Sequence, residues 1–230
     1  MTRAGAGGNL LARHSIHGGD RLRPFGTMNW FLRLSVETRT RLLDALGVGL
    51  LAISVFALLV APSQMPTGYS WLRHTTSESA AQGVSGAWLA RFGFLVFGLT
   101  VVWTAGRQHH KWAVPVRLMH GAFGVLMIAT ASFSVRPWLP EAAYDPVEDA
   151  LHSFTATAMG FAFAIGVVLR LLHRGHDWSG RGIDLAAVAA AVAIPLSMNA
   201  LPEWDGLLQR GMFAIAYTWY GIELWRKDGQ

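Results

Sequence analysis

The run Leu42-Leu-Asp-Ala-Leu-Gly-Val-Gly-Leu-Leu-Ala-Ile-Ser-Val-Phe-Ala-Leu-Leu-Val-Ala61, closed by Pro62, decides the fold. It carries one charge, Asp44, and a helix of this length spans the roughly 30 Å hydrocarbon core of a bilayer. Pro62 lacks the amide needed to continue the helical ladder. Comparable apolar runs recur at about 87–106, 116–135, 146–172, 183–201 and 207–225. With 52% hydrophobic and 14% charged residues among 230, the chain is no ordinary soluble domain. It reads as an all-α polytopic membrane protein, six helices in a compact bundle. The absence of cysteine removes disulfides and thiolate metal sites.

Residues 1–27 read as a flexible basic tail. In residues 28–41, Trp30, Phe31, Leu34 and Val36 alternate with charged positions, as in a segment lying along a membrane surface. Residues 42–230 form the membrane domain. If both termini are cytoplasmic, fifteen of the 19 lysines and arginines fall on that side, leaving Arg73, Arg91, Arg136 and Arg210 outside. Acidic residues divide evenly, so the asymmetry belongs to the cations, as in a bacterial plasma-membrane protein with both ends inside. The basic residues sort by membrane side instead of forming one patch, which argues against nucleic acid as a partner. Membrane lipids or another membrane protein are the expected partners.

Spans five and six carry packing signals. Ala186, Ala187, Ala189, Ala190, Ala191 and Ala193 would let helix backbones approach closely, placing span five inside the bundle, kinked at Pro195. Trp219, Tyr220 and Trp225 suit an interfacial belt.

The outer face holds the residues able to do chemistry. His74 with Glu78, and Glu148 with His152, are each spaced i, i+4, which on a helix places both members on one face. Imidazole nitrogen and carboxylate oxygen together would suit zinc or a similar divalent ion, with His74, Glu78, Glu148 and His152 as ligands. The competing reading is a hydrogen bond or ion pair at each helix end. Ser77 beside Glu78 admits a nucleophile with His152 or a carboxylate as base, or simply a helix cap. Haem does not suit the chain, because His120 and His152 belong to opposite ends of their spans.

The stretch Gly68-Tyr-Ser-Trp-Leu-Arg-His-Thr-Thr-Ser-Glu78, with Ala87-Trp-Leu-Ala-Arg-Phe-Gly-Phe-Leu-Val-Phe-Gly98 after it, resembles the bacterial and archaeal membrane proteins grouped as domain of unknown function 998. The resemblance implies six helices, a His-x-x-Ser-Glu element at His74, Ser77 and Glu78, and a Leu-His at Leu151 and His152. Ser79-Ala80 stands where that family has Leu-Gly, and Val135-Arg136-Pro137 where it has Phe-Pro and a following Asp, a place Asp145 could take. No activity comes with the resemblance.

Two function classes follow. One is a lipid-organising, ligand-binding or partner-binding protein with a polar pocket at its outer face, built from the first outer loop and the top of the fourth span. The other is a membrane-embedded hydrolase of lipids or lipid-linked substrates, with His74, Glu78 and His152 as metal ligands or acid and base, Asp145 orienting and Ser77 as ligand or nucleophile.

Overall fold

The computed structural model describes residues 35–175 and 178–226, apart from the side chain of Ser179. The expected tail and residues 28–34 of the expected surface segment lie outside the described residues. Residues 1–39 and 40–230 form two units. Of the first, what is described is the start of a helix, where Ser35 Oγ accepts from the Thr38 amide at 3.2 Å. No strand occurs among the described residues. Six α-helices follow in order: α1 Val36–Val60, α2 Ala87–Arg107, α3 Val114–Ser132, α4 Pro146–His173, α5 Trp178–Ala200 and α6 Asp205–Trp225. The protein is a multi-pass helical membrane protein: α1 to α5 are each long and apolar enough to cross a bilayer.

Local chemistry sets the boundaries. Pro62 lies in a 3-10 turn, Ala61–Gln64, that ends the first span. Pro146 occupies the first turn of α4, where a missing amide costs nothing, and Asp145 caps it by accepting from the Val147 amide at 2.8 Å. Beyond the other end of α4, Gly175 takes a φ of 64°, a left-handed conformation natural to glycine after a helix.

Consecutive helices from α2 to α6 pack as neighbours, and α1 lies against α2 and α6. Where α2 crosses α3 the backbones touch at Gly98 and Gly124: a Cβ on either would stand 2.7–2.8 Å from the other's carbonyl oxygen. Ser54 of α1 donates to the Gly93 carbonyl at 2.6 Å and also bonds the Tyr217 hydroxyl.

Two expectations about the last helices are corrected. The alanine-rich α5 is peripheral, with only 11% of its apolar window buried. Its small side chains have little surface to bury, and Gly180, Asp184 and Ala187 are its closely covered positions among the described residues. The central helix is α6, the least apolar of the six. Its Phe213 stacks on Phe94 of α2, Tyr217 on Phe97 of α2, and Trp219 on His120 of α3, while Trp219 and Tyr220 also meet Phe163 of α4. Trp219 and Tyr220 are fully buried instead of lying in an interfacial belt. A helix enclosed by others faces little lipid, so polar side chains on it can be matched by partners.

One end of the bundle bears such partners, here termed the basic end. Glu223 of α6 accepts from Arg170 Nε at 3.0 Å, from Trp112 Nε1 at 2.9 Å and from Arg174. Asp184 of α5 accepts from Arg174 at 2.6 and 2.9 Å and from Trp219 Nε1 at 2.8 Å. Two guanidiniums and two carboxylates balance in charge, and both acids are essentially inaccessible. Removing one member strands the others. Glu223→Ala should therefore cost about 3–5 kcal/mol, read as a loss of thermal stability in detergent; a change below about 1 kcal/mol would show that the network carries no weight.

Candidate functional site

The opposite end is covered by residues 65–86, and the tie that holds this cover is Arg210 of α6. Its Nη1 donates to the carbonyls of Trp71 at 2.7 Å, His74 at 2.9 Å and Gly206 at 2.8 Å, and its Nη2 donates to the Tyr69 hydroxyl at 2.7 Å. The guanidinium also lies 4.6 Å from the Trp71 ring centre. At the start of α6, the Gly206 and Leu207 amides donate to the carbonyls of Arg73 and Leu72, each at 3.1 Å. These are helix-end amides that no carbonyl of their own helix can satisfy. Position 206 has to be glycine for this approach, since a Cβ would collide with the His74 and Trp71 carbonyl oxygens.

Within the cover, Thr75 and Glu78 form a capping box. Glu78 Oε2 accepts from the Thr75 amide at 2.6 Å and hydroxyl at 2.9 Å, while Thr75 Oγ1 accepts from the Glu78 amide at 3.1 Å. His74 Nδ1 accepts from the Ser70 amide at 2.8 Å, and its ring stacks on Trp138 with centres 5.2 Å apart. The His74 and Glu78 side chains thus serve separate backbone turns and make no bond to each other. The Ser77 amide donates to Gln209 Oε1 at 3.2 Å. Among the described residues no histidine or carboxylate hydrogen-bonds the Ser77 hydroxyl.

The second pair holds the chain where it leaves α3. His152 Nδ1 bonds the Phe133 carbonyl at 2.8 Å, and Glu148 Oε1 accepts from the Ser134 amide at 2.6 Å. Asp149 accepts from the Arg136 amide at 2.8 Å. Three side chains in the first two turns of α4 therefore satisfy backbone groups that the end of α3 releases. The four candidate metal ligands are not gathered. Among the described residues no three His, Cys, Asp or Glu side chains converge as a metal site.

Between these two constructions lies an open groove of about 470 Å³, lined by Gln82, Gly83, Arg91, Tyr144, Asp145 and Glu148, with Ala143 at its side. Gln82 joins its walls: Nε2 donates to the carbonyls of Ser134 at 2.8 Å and Asp145 at 3.0 Å, and Oε1 accepts from the Asp145 amide at 2.7 Å. Arg91 gives Nε and Nη2 to the carbonyls of Ala80 and Ala81, each at 3.0 Å.

Sequence reading passed over Gln82 as a site residue and saw Arg210 only as an outer-face cation. Both act through carbonyls far away in sequence, which no local spacing reveals.

Burial raises the pKa of the Tyr69 phenol above its ordinary value, against the pull of Arg210, and the hydroxyl donates to the Thr75 carbonyl at 3.1 Å. A folded-state value raised above that of an unfolded tyrosine gives a contribution present in full below about pH 10 and lost as the pH rises further. In Tyr69→Phe this alkaline loss should vanish from the melting curve. Arg210→Met should cost about 2–4 kcal/mol and speed amide exchange in residues 69–78, measured by hydrogen–deuterium exchange; unchanged exchange there would contradict the tie.

No curated protein and no solved structure matches this chain. A family model described as Protein of unknown function (DUF998) matches residues 45–226, from within α1 to just beyond α6, and so takes in both the cover and the groove. The chain belongs to that family.

Proposed function

We propose that this protein binds a membrane lipid, without chemical turnover, in the groove between its cover and the start of α4. The observation that carries the reading is the groove itself. It is of a size suited to a small ligand, and it is lined by ionic and polar groups. Exposed apolar side chains share the helices that supply its lining: Trp88 stands one turn before Arg91 on α2, and Val147, Leu151 and Phe154 lie on α4 with Glu148. Such a boundary suits a molecule with a polar head and apolar chains.

The distribution of lysine and arginine supports an orientation with both termini in the cytoplasm of a bacterial cell and the groove at the outer leaflet. His74, Glu78, Glu148 and His152 act here as backbone supports. In a hydrolase His74 and His152 would have to act through Nε2, since Nδ1 of each is bonded to the backbone, and Ser77 would need a base it does not touch.

Native mass spectrometry of protein released from lipid nanodiscs should show one tightly held phospholipid. In Arg91→Met its occupancy should fall about tenfold, equivalent to about 1.4 kcal/mol. Incubation with labelled phospholipids should give no product. Product formation that disappears in His152→Ala would overturn the non-catalytic reading and restore the hydrolase.

A further inference from the structure

The groove presents opposite charges that do not neutralise each other. Arg91 comes from α2, Asp145 and Glu148 from the start of α4, and no direct ion pair joins the arginine to either acid. Each group is fixed by bonds made through part of its polar edge. Arg91 holds the Ala80 and Ala81 carbonyls with Nε and Nη2, and among the described residues Nη1 has no partner. Asp145 caps α4 with Oδ1, and Glu148 takes the Ser134 amide with Oε1. Among the described residues, Asp145 Oδ2 and Glu148 Oε2 have no partner. Anchored groups with a free edge bind at a lower entropic cost than mobile ones.

We infer that the groove selects a zwitterionic headgroup bearing a phosphate and a primary ammonium, as in phosphatidylethanolamine, with the phosphate on Arg91 and the ammonium on Asp145 and Glu148. This rests on the groove being a lipid site. Three arguments narrow the class. One guanidinium against two carboxylates disfavours a purely anionic headgroup, which would meet an excess of like charge. An ammonium with three N–H donors can serve both free carboxylate oxygens, whereas a quaternary ammonium has none to give. Quaternary ammonium is typically held by a cage of several aromatic rings, and Tyr144 is the groove's single aromatic lining residue. A simple amine without phosphate would leave Arg91 uncompensated. The apolar side chains at Val147, Leu151 and Phe154 favour the lipid over a free headgroup.

The test uses the full chain in nanodiscs of phosphatidylethanolamine, phosphatidylcholine and phosphatidylglycerol in equal amounts, with lipid retention read by native mass spectrometry. Wild type should retain phosphatidylethanolamine about tenfold over either competitor. The double variant Asp145→Asn, Glu148→Gln keeps an acceptor for each of the Val147 and Ser134 amides, so it should fold, as checked by its melting temperature. It should lose the preference while still retaining lipid. Should it fail to fold, Arg91→Lys serves instead, with weaker retention of all three lipids expected. Equal retention of the three lipids, or a preference for phosphatidylglycerol, would overturn the headgroup assignment and leave lipid binding standing. Retention of no lipid at all, or retention unaffected by any groove substitution, would overturn the lipid reading itself. Displacement of the lipid by free phosphoethanolamine at matching concentration would identify a soluble ligand and overturn the lipid as source.

Discussion

Arg210 directs its guanidinium at three backbone carbonyls and a phenol, and the end of the bundle it occupies depends on that choice. Irregular chain near a bilayer can persist only where its amides and carbonyls find partners within the protein. Residues 65–86 and 133–145 are irregular over most of their length, and side chains from α2, α4 and α6 supply the partners. Arg91 takes the carbonyls of Ala80 and Ala81; Glu148, Asp149 and His152 take the chain leaving α3; Gln82 links that chain to Asp145. The groove is the space these bonds leave open.

Hydropathy placed α2 and α4 to within about a residue, because long apolar runs with a proline or a capping aspartate at the boundary have few other solutions. By contrast, α1 begins at Val36, inside the expected surface segment, and α3 ends at Ser132, short of the expected Val135. Hydropathy misled on the order of burial. A lipid-facing helix must be apolar, whereas a helix surrounded by protein need not be, so the alanine-rich α5 lies outside while α6, with Gln209, Arg210 and Glu223, lies in the middle. Of the α6 aromatic residues that suggested a headgroup belt, Trp219 stacks on His120 and Tyr220 is buried against Phe97 and Phe123, while Trp225 is exposed. Nothing local in the sequence separates those two uses of tryptophan and tyrosine.

The polar site was legible in its place and not in its wiring. The i, i+4 spacing of His74 and Glu78 presumed a helix, but the chain turns there, and the pairing that forms is the i, i+3 capping box of Thr75 and Glu78. Glu148 and His152 do share a helix, yet each turns to a different backbone group after α3. The ionic network at the basic end was missed because Arg170, Arg174, Asp184 and Glu223 are scattered through the sequence and looked like ordinary loop and helix-end charges.

The central claim is that the histidines and their neighbouring acids support the backbone, while the ligand occupies the groove beside them. A cryo-EM map of the protein in native lipid, at a resolution that shows headgroups, tests this most directly. The account predicts density between Arg91 and the Asp145 and Glu148 carboxylates, continuing along Leu151 and Phe154 as an acyl chain. An empty groove, with ligand or ion density instead between His74 and Glu78 or on His152, would contradict it.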